Sequence, residues 1–199
     1  ICDGSSTNIN VPTAADGYTY QIKKSDNSNL GASFVGDGST FSRTTGALAA
    51  SETYHVDITN GSCTHTGTNT VTVTVTITPS NNPVMTADAS PICDGSSTNI
   101  NVPTAADGYT YQIKKSDNSN LGASFVGDGT TFSRPTGALA ASETYHVDIT
   151  NGSCTHTGTN TVTVTVTATP SNNPVITADA SPICDGSSTN INVPTAADG

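Results

Sequence analysis

Strict two-residue alternation is the strongest pattern in the chain. In NTVTVTVTIT (69–78), Val71, Val73, Val75 and Ile77 share one face and Thr70, Thr72, Thr74, Thr76 and Thr78 the other, the period of a half-buried β-strand. Threonine on the wet face is β-branched and favours extended backbone without adding apolar surface. The same period recurs in STNINVP (6–12), with Ile9 and Val11 inward, and in GYTYQIKK (17–24), with Tyr18, Tyr20 and Ile22 inward. ETYHVDIT (52–59) turns Tyr54, Val56 and Ile58 inward and His55 and Asp57 outward. GASFVGDGSTFSR (31–43) reads as two short strands around Gly36-Asp37-Gly38, and VMTADA (84–89) as another. Only GALAASE (46–52) has helical composition, and its length allows no more than a turn of 3₁₀. The pattern predicts an all-β fold: antiparallel sandwiches of about seven strands each.

Shifting the chain by 91 positions lays residues 1–91 on 92–182 with four differences: Ser39/Thr130, Thr44/Pro135, Ile77/Ala168 and Met85/Ile176. A third copy begins with ICDGSSTNINVPTAADG at 183–199. A period this long exceeds the roughly 20–50 residues of a solenoid unit and suits a small domain with its own core. TPSNNP (78–83, again at 169–174) carries the turn chemistry of a boundary. The expected units are therefore 1–78, a β-sandwich repeat without its first strand; 79–169, a complete repeat; and 170–199, the start of a third. The prolines restrict φ, which predicts limited hinge freedom and an elongated tandem array.

Cysteines stand at 2, 63, 93, 154 and 184, with no C-x-x-C spacing of the zinc or redox kind. Pairing Cys2 with Cys63 and Cys93 with Cys154 closes a loop inside each unit and leaves Cys184 for a partner beyond the window. The alternative joins Cys63 to Cys93 and Cys154 to Cys184. The first is preferred, since a loop of some sixty residues implies stabilisation of about 4 kcal/mol. Either scheme places the chain outside the cytosol.

The segments ASPICDGSSTNINVPTAADGYTYQI (89–113), SETYHVDITNGSC (142–154) and TNTVTVTVTATP (159–170) resemble the tandem immunoglobulin-like repeats of very large Bacteroidota surface proteins. These include the adhesins of gliding flavobacteria exported by the type IX system. The resemblance implies a cysteine at the start of the B strand (Cys93), a tyrosine-rich C strand (Tyr109, Tyr111), a core tyrosine on the F strand (Tyr145) and a Thr/Val G strand. Tyr111 stands where the family often has Trp. The second cysteine follows the F strand, which implies a bridge near one end of the sandwich.

Net charge is −10 with six basic residues, which argues against a basic groove for nucleic acid or anionic lipid and favours solubility. No transmembrane run or signal peptide is present in the window. His55 and Asp57 share a strand face with serines nearby in sequence, but no G-x-S-x-G elbow accompanies them, and an exposed histidine on a polar strand reads as a surface residue. His65 with His55 would make half a metal site at most. Asp-Gly pairs make Asp3, Asp37, Asp94 and Asp128 calcium candidates, although Asp-Gly is first a turn signal. Asn60-Gly61-Ser62 matches a glycosylation acceptor and also a hairpin turn. The threonine ladder lacks the stacked flat array that ice binding needs.

The expectation is a non-enzymatic, cell-surface structural and adhesive segment, the stalk or shaft of an adhesin, with no cofactor. Its expected partners are neighbouring identical domains, lateral copies in a fibre, and surface glycans or a substratum. The competing expectation is a Ca²⁺-dependent carbohydrate-binding array.

Overall fold

A computed structural model describes residues 1–170 and 173–193. The second boundary segment, 169–174, lies partly outside the described residues, as does 194–199 of the third copy.

The first unit contains β1 (Asn8–Val11), β2 (Thr19–Lys24), β3 (Phe34–Val35), β4 (Phe41–Thr44), β5 (Glu52–Asn60), β6 (Cys63–Thr66) and β7 (Val71–Val73). The second contains β8 (Thr86–Ala87), β9 (Ile92–Cys93), β10 (Asn99–Val102), β11 (Thr110–Lys115), β12 (Phe125–Val126), β13 (Phe132–Pro135), β14 (Glu143–Asn151), β15 (Cys154–Thr157), β16 (Val162–Val164) and β17 (Val166–Thr167). The third shows β18 (Thr177–Ala178) and β19 (Ile191–Asn192). Among the described residues there is no helix.

In the second unit one sheet runs β13-β10-β8 and the other β12-β11-β14-β15, with β16 continuing the β15 edge along β14. This is the sheet division of an immunoglobulin-like sandwich, an A-B-E sheet facing a C′-C-F-G sheet. The alternating strands meet in one core: Ile100 and Val102 from the first sheet, and Tyr111, Ile113, Tyr145, Val147, Ile149 and Val164 from the second. A stack ties the sheets at one edge, Tyr111 to Phe125 at 5.3 Å and Phe125 to Phe132 at 3.5 Å between ring centroids, with the Arg134 guanidinium 5.0 Å above Phe132. The first unit builds a separate core from Ile9, Ile22, Leu30, Leu48, Tyr54 and Val73.

Several details differ from the sequence reading: Tyr18 and Val71, expected inward, are 40% and 49% exposed. The threonine ladder is not one strand. It pairs with β14 through Val164, then crosses to pair in parallel with β9, Val166 opposite Ile92 and Thr167 opposite Cys93. β14 begins at Glu143, so the run outlasts its partner and finds another. Ile77, expected inward, is 66% exposed because it lies past this crossing. The stretch 46–52 forms no 3₁₀ turn: Leu48 instead exchanges backbone bonds with Gly4 and Ser5. Cys93 lies not at the start of the B strand (β10) but on β9, a short strand before it that has already changed sheets.

The two short strands of 31–43 belong to different sheets, since β3 pairs with β2 and β4 with β1. The chain crosses between them at Gly36, where a Cβ would stand 2.2 Å from the Ala15 carbonyl oxygen. Only glycine permits that approach.

Candidate functional site

The two cysteines of a unit stand at opposite ends of it. Cys154 pairs with Asn151 at the end of β14, whereas Cys93 pairs with Thr167, three residues past the Val164 that pairs with Glu143 at its start. β14 has nine residues, and at ~3.4 Å per residue the two cysteines are on the order of 30 Å apart. A disulfide requires Cα atoms closer than about 7 Å. The expected bridges Cys2–Cys63 and Cys93–Cys154 are therefore excluded by the strand geometry.

The structure instead joins Cys2 to Cys154, with Cα atoms 5.5 Å apart and 152 residues between them in sequence. The bond links the end of one unit to the facing end of the next. Cys63, Cys93 and Cys184 are free and exposed. The alternative pairing, Cys63 with Cys93 and Cys154 with Cys184, is not formed either.

Around this bond, residues 76–82 are held from both sides. On the first unit's side, the Asp3 amide donates to the Thr76 carbonyl and the Asp3 carboxylate accepts from the Thr78 amide at 2.7 Å. The Thr78 hydroxyl, and after it that amide bond, hold the Asp3 carboxyl below its ordinary pKa. On the second unit's side, Asn151 Nδ2 donates to the Ile77 carbonyl at 2.9 Å. Pro79 is buried. Asn81 Nδ2 donates to the Tyr111 hydroxyl at 2.6 Å, and the same hydroxyl accepts from the Ala106 amide at 2.8 Å. Asn82 accepts at Oδ1 from the Thr159 and Asn160 amides, while Asn160 Nδ2 donates to the Asn82 carbonyl. The boundary segment, expected to have limited hinge freedom, is thus a hydrogen-bonded joint.

The β5–β6 hairpin closes with Asn60 opposite Cys63, so Gly61-Ser62 is a two-residue turn, with φ of 61° at Gly61. Its counterpart places Asn151 against Ile77, using for the joint the side-chain nitrogen that a glycan would occupy. Asp37 accepts from the Ser39 amide and hydroxyl, and Asp128 from the Thr130 amide and hydroxyl. These contacts lower both carboxyl pKa values, the side-chain bond first. Asp94 donates its amide to the Thr167 carbonyl. The four calcium candidates thus sit in turns and strand ends, and among the described residues no three metal-binding side chains converge.

His55 Nε2 lies 3.8 Å from Asp57 Oδ1, and Lys23 Nζ 4.0 Å from Asp57 Oδ2. The nearby serines are engaged elsewhere: Ser25 Oγ donates to Glu52, Ser39 Oγ to Asp37 and Ser42 Oγ to Asn10. The histidine, aspartate and serine are not assembled into a nucleophilic site. His65 pairs with Ile58 on the adjoining strand.

Residues 82–168 match the family model described as a domain of unknown function (DUF8696). No curated protein matches the chain. Among solved structures, the BSP domain of a biofilm associated protein is 17% identical with a TM-score of 0.31, over 85% of this chain and 29% of that one. The human OSCAR ligand-binding domain is 10% identical with a TM-score of 0.32, over 82% of this chain and 88% of that one. A chimeric titin Z1Z2-Z1Z2 tandem is 17% identical with a TM-score of 0.30, over 84% of this chain and 93% of that one. The chain thus spans less than a third of the length of the biofilm protein.

Proposed function

We propose that the chain is a structural and adhesive segment of a secreted cell-surface protein, a shaft of immunoglobulin-like repeats joined end to end. The observation that carries this reading is the Cys2–Cys154 bond, which spends both its cysteines on the joint between units and none within a unit. A shaft needs strong coupling between copies, and this is where the covalent chemistry lies. The bond also requires an oxidising compartment, which supports an extracellular location. The net charge of −10 supports separation of shafts in solution. The resemblance of the repeat to gliding-adhesin repeats of Bacteroidota supports export by a type IX route and a cell-surface destination. Many weak contacts along such a shaft would add up through multivalency.

The test is imaging and retention together. Axial repeats of roughly 35–45 Å per unit are expected in micrographs, from strands of about nine residues, with no glycan retention that chelator abolishes. Axial repeats far outside that range, or calcium-dependent retention on a glycan column, would replace the shaft with the carbohydrate-binding array.

A further inference from the structure

Two consecutive residues of the linking segment hold the two halves of the bond between units. Thr76 holds Cys2. The two residues form a parallel bridge, in which the Asp3 amide donates to the Thr76 carbonyl at 3.0 Å and the Thr76 amide to the Ile1 carbonyl at 2.8 Å. Ile77 holds Cys154. Its carbonyl accepts from Asn151 Nδ2 at 2.9 Å, and Asn151 is the ladder partner of Cys154 across the two-residue turn Gly152-Ser153. Cys154 Sγ lies 3.6 Å from the Thr76 carbonyl oxygen. The sulfur atoms therefore meet because residues 76 and 77 are neighbours in the chain.

Sequence distance works against this pair. Cys2 and Cys154 are 152 residues apart, and the entropy cost of closing a flexible loop rises with the logarithm of its length. The hydrogen bonds at 76 and 77 replace that loop by a short path: one bridge from Cys2 to Thr76, one peptide bond to Ile77, and one side-chain contact to the turn of Cys154. None of these contacts is made by a sulfur atom. Further contacts keep the path from swinging. The Asp3 carboxylate accepts from the Thr78 amide at 2.7 Å, Pro79 is buried, and Asn82 Oδ1 accepts from the Thr159 and Asn160 amides at 3.0 and 3.2 Å.

We propose that the linking segment is the template of the disulfide: the hydrogen-bonded joint forms first, sets the orientation of the two units, and steers oxidation to Cys2 and Cys154. Asn151 and Asp3 are its positioning residues. The bond then locks an orientation that it did not create, and reduction returns a joint of the same shape held without sulfur. Formation takes two thiols to one S–S bond, and the two electrons and two protons pass to a small-molecule disulfide such as oxidised glutathione, which leaves as two thiols. The first thiolate attacks that disulfide, and the second displaces glutathione from the mixed disulfide. This second step is intramolecular, so the joint acts by raising the effective concentration of one cysteine at the other. The template holds whether or not the chain is an adhesive shaft, since it rests on the joint alone.

The experiment uses the 199-residue chain with the exposed Cys63, Cys93 and Cys184 replaced by serine, so that only one bond can form within it. Equilibration in glutathione buffers of graded ratio, followed by thiol trapping, gives the effective concentration of Cys2 at Cys154. Asn151→Ala and Asp3→Ala are each expected to lower it about tenfold. Asp3→Asn, which keeps an accepting oxygen for the Thr78 amide, is expected to match the parent. Asp3 is exposed and belongs to neither core, so the reduced Asp3→Ala chain is expected to melt like the reduced parent, which separates positioning from loss of fold. Small-angle scattering of the parent is expected to be the same with and without reductant. The proposal is overturned by unchanged effective concentrations in both alanine variants, by Asp3→Asn falling as far as Asp3→Ala, or by scattering that shows the two units turning freely once the bond is reduced.

Discussion

Asn81, in the segment between units, donates its side-chain amide to the hydroxyl of Tyr111, a fully buried residue of the second core, at 2.6 Å. The joint is thereby fastened to the interior of the unit that follows it. Asn81→Ala leaves the tyrosine with its Ala106 contact only and is expected to cost about 1 kcal/mol. Denaturant titration of the second unit should show the loss, and the same titration with Tyr111→Phe should show a similar or larger one.

Met85 is 4% exposed and packs in the second core, whereas Val126 on β12 is exposed. Met85→Ala should destabilise the second core by about 2–5 kcal/mol. Val126→Ala, at a 66% exposed position of the same unit, should leave melting within about 0.5 kcal/mol of the parent. Thermal melts of both variants at low concentration make the comparison.

At Gly127 an added Cβ would stand 2.2 Å from the Ala106 carbonyl oxygen, whereas at Gly129 it would meet open space at a φ of 82°. Gly127→Ala is expected to destabilise by about 2–3 kcal/mol through a backbone clash with no flexible partner to yield. Gly129→Ala should cost only about 1 kcal/mol from its positive φ. Equal effects in urea unfolding would contradict the crossing geometry.

Acid should weaken the fold. Ser116 holds Glu143, Thr130 holds Asp128, and Asn101 and Asn99 hold Asp88, each below its ordinary pKa. Groups depressed in the folded state stabilise it above their unfolded pKa, and that contribution is lost as pH falls through the folded value. Melting temperature should therefore hold from pH 7 to about 5 and decline below about 4. Ser116→Ala should make that decline shallower.

Reduction should act on the joint and not on the cores. Cutting the chain once between residues 78 and 83 should give two pieces that migrate together without reductant and separate with it, as Cys2 and Cys154 lie on different pieces. Separation without reductant would show that the bond lies elsewhere.

Local pattern carried the fold far. The alternation in 99–102 and 143–151 placed Ile100, Val102, Tyr145, Val147 and Ile149 on one inner face, and all five are fully buried. The hairpin at Asn60-Gly61-Ser62 and the turns at Asp37 and Asp128 followed from local chemistry in the same way. What alternation does not report is which strand lies beside which. The ladder of 162–167 alternates without interruption while its partner changes from β14 to β9, so neither the break nor the place of Cys93 was legible. The disulfide was misread for the same reason: loop closure within a unit looks favourable until the two cysteines are seen at opposite ends of β14.

The Cys2–Cys154 bond has a mechanical consequence. Tension applied between Ile1 and a point beyond Cys154 enters at the second residue and leaves at the 154th through a single S–S bond, so the first core, which lies wholly between the two cysteines, is shunted out of the load path. Under oxidising conditions the first unit is a passenger that sets spacing while sulfur carries the force. Once the bond is cut, the 151 residues between the two cysteines come under load, a hidden length of about 50 nm at roughly 3.3–3.6 Å per residue.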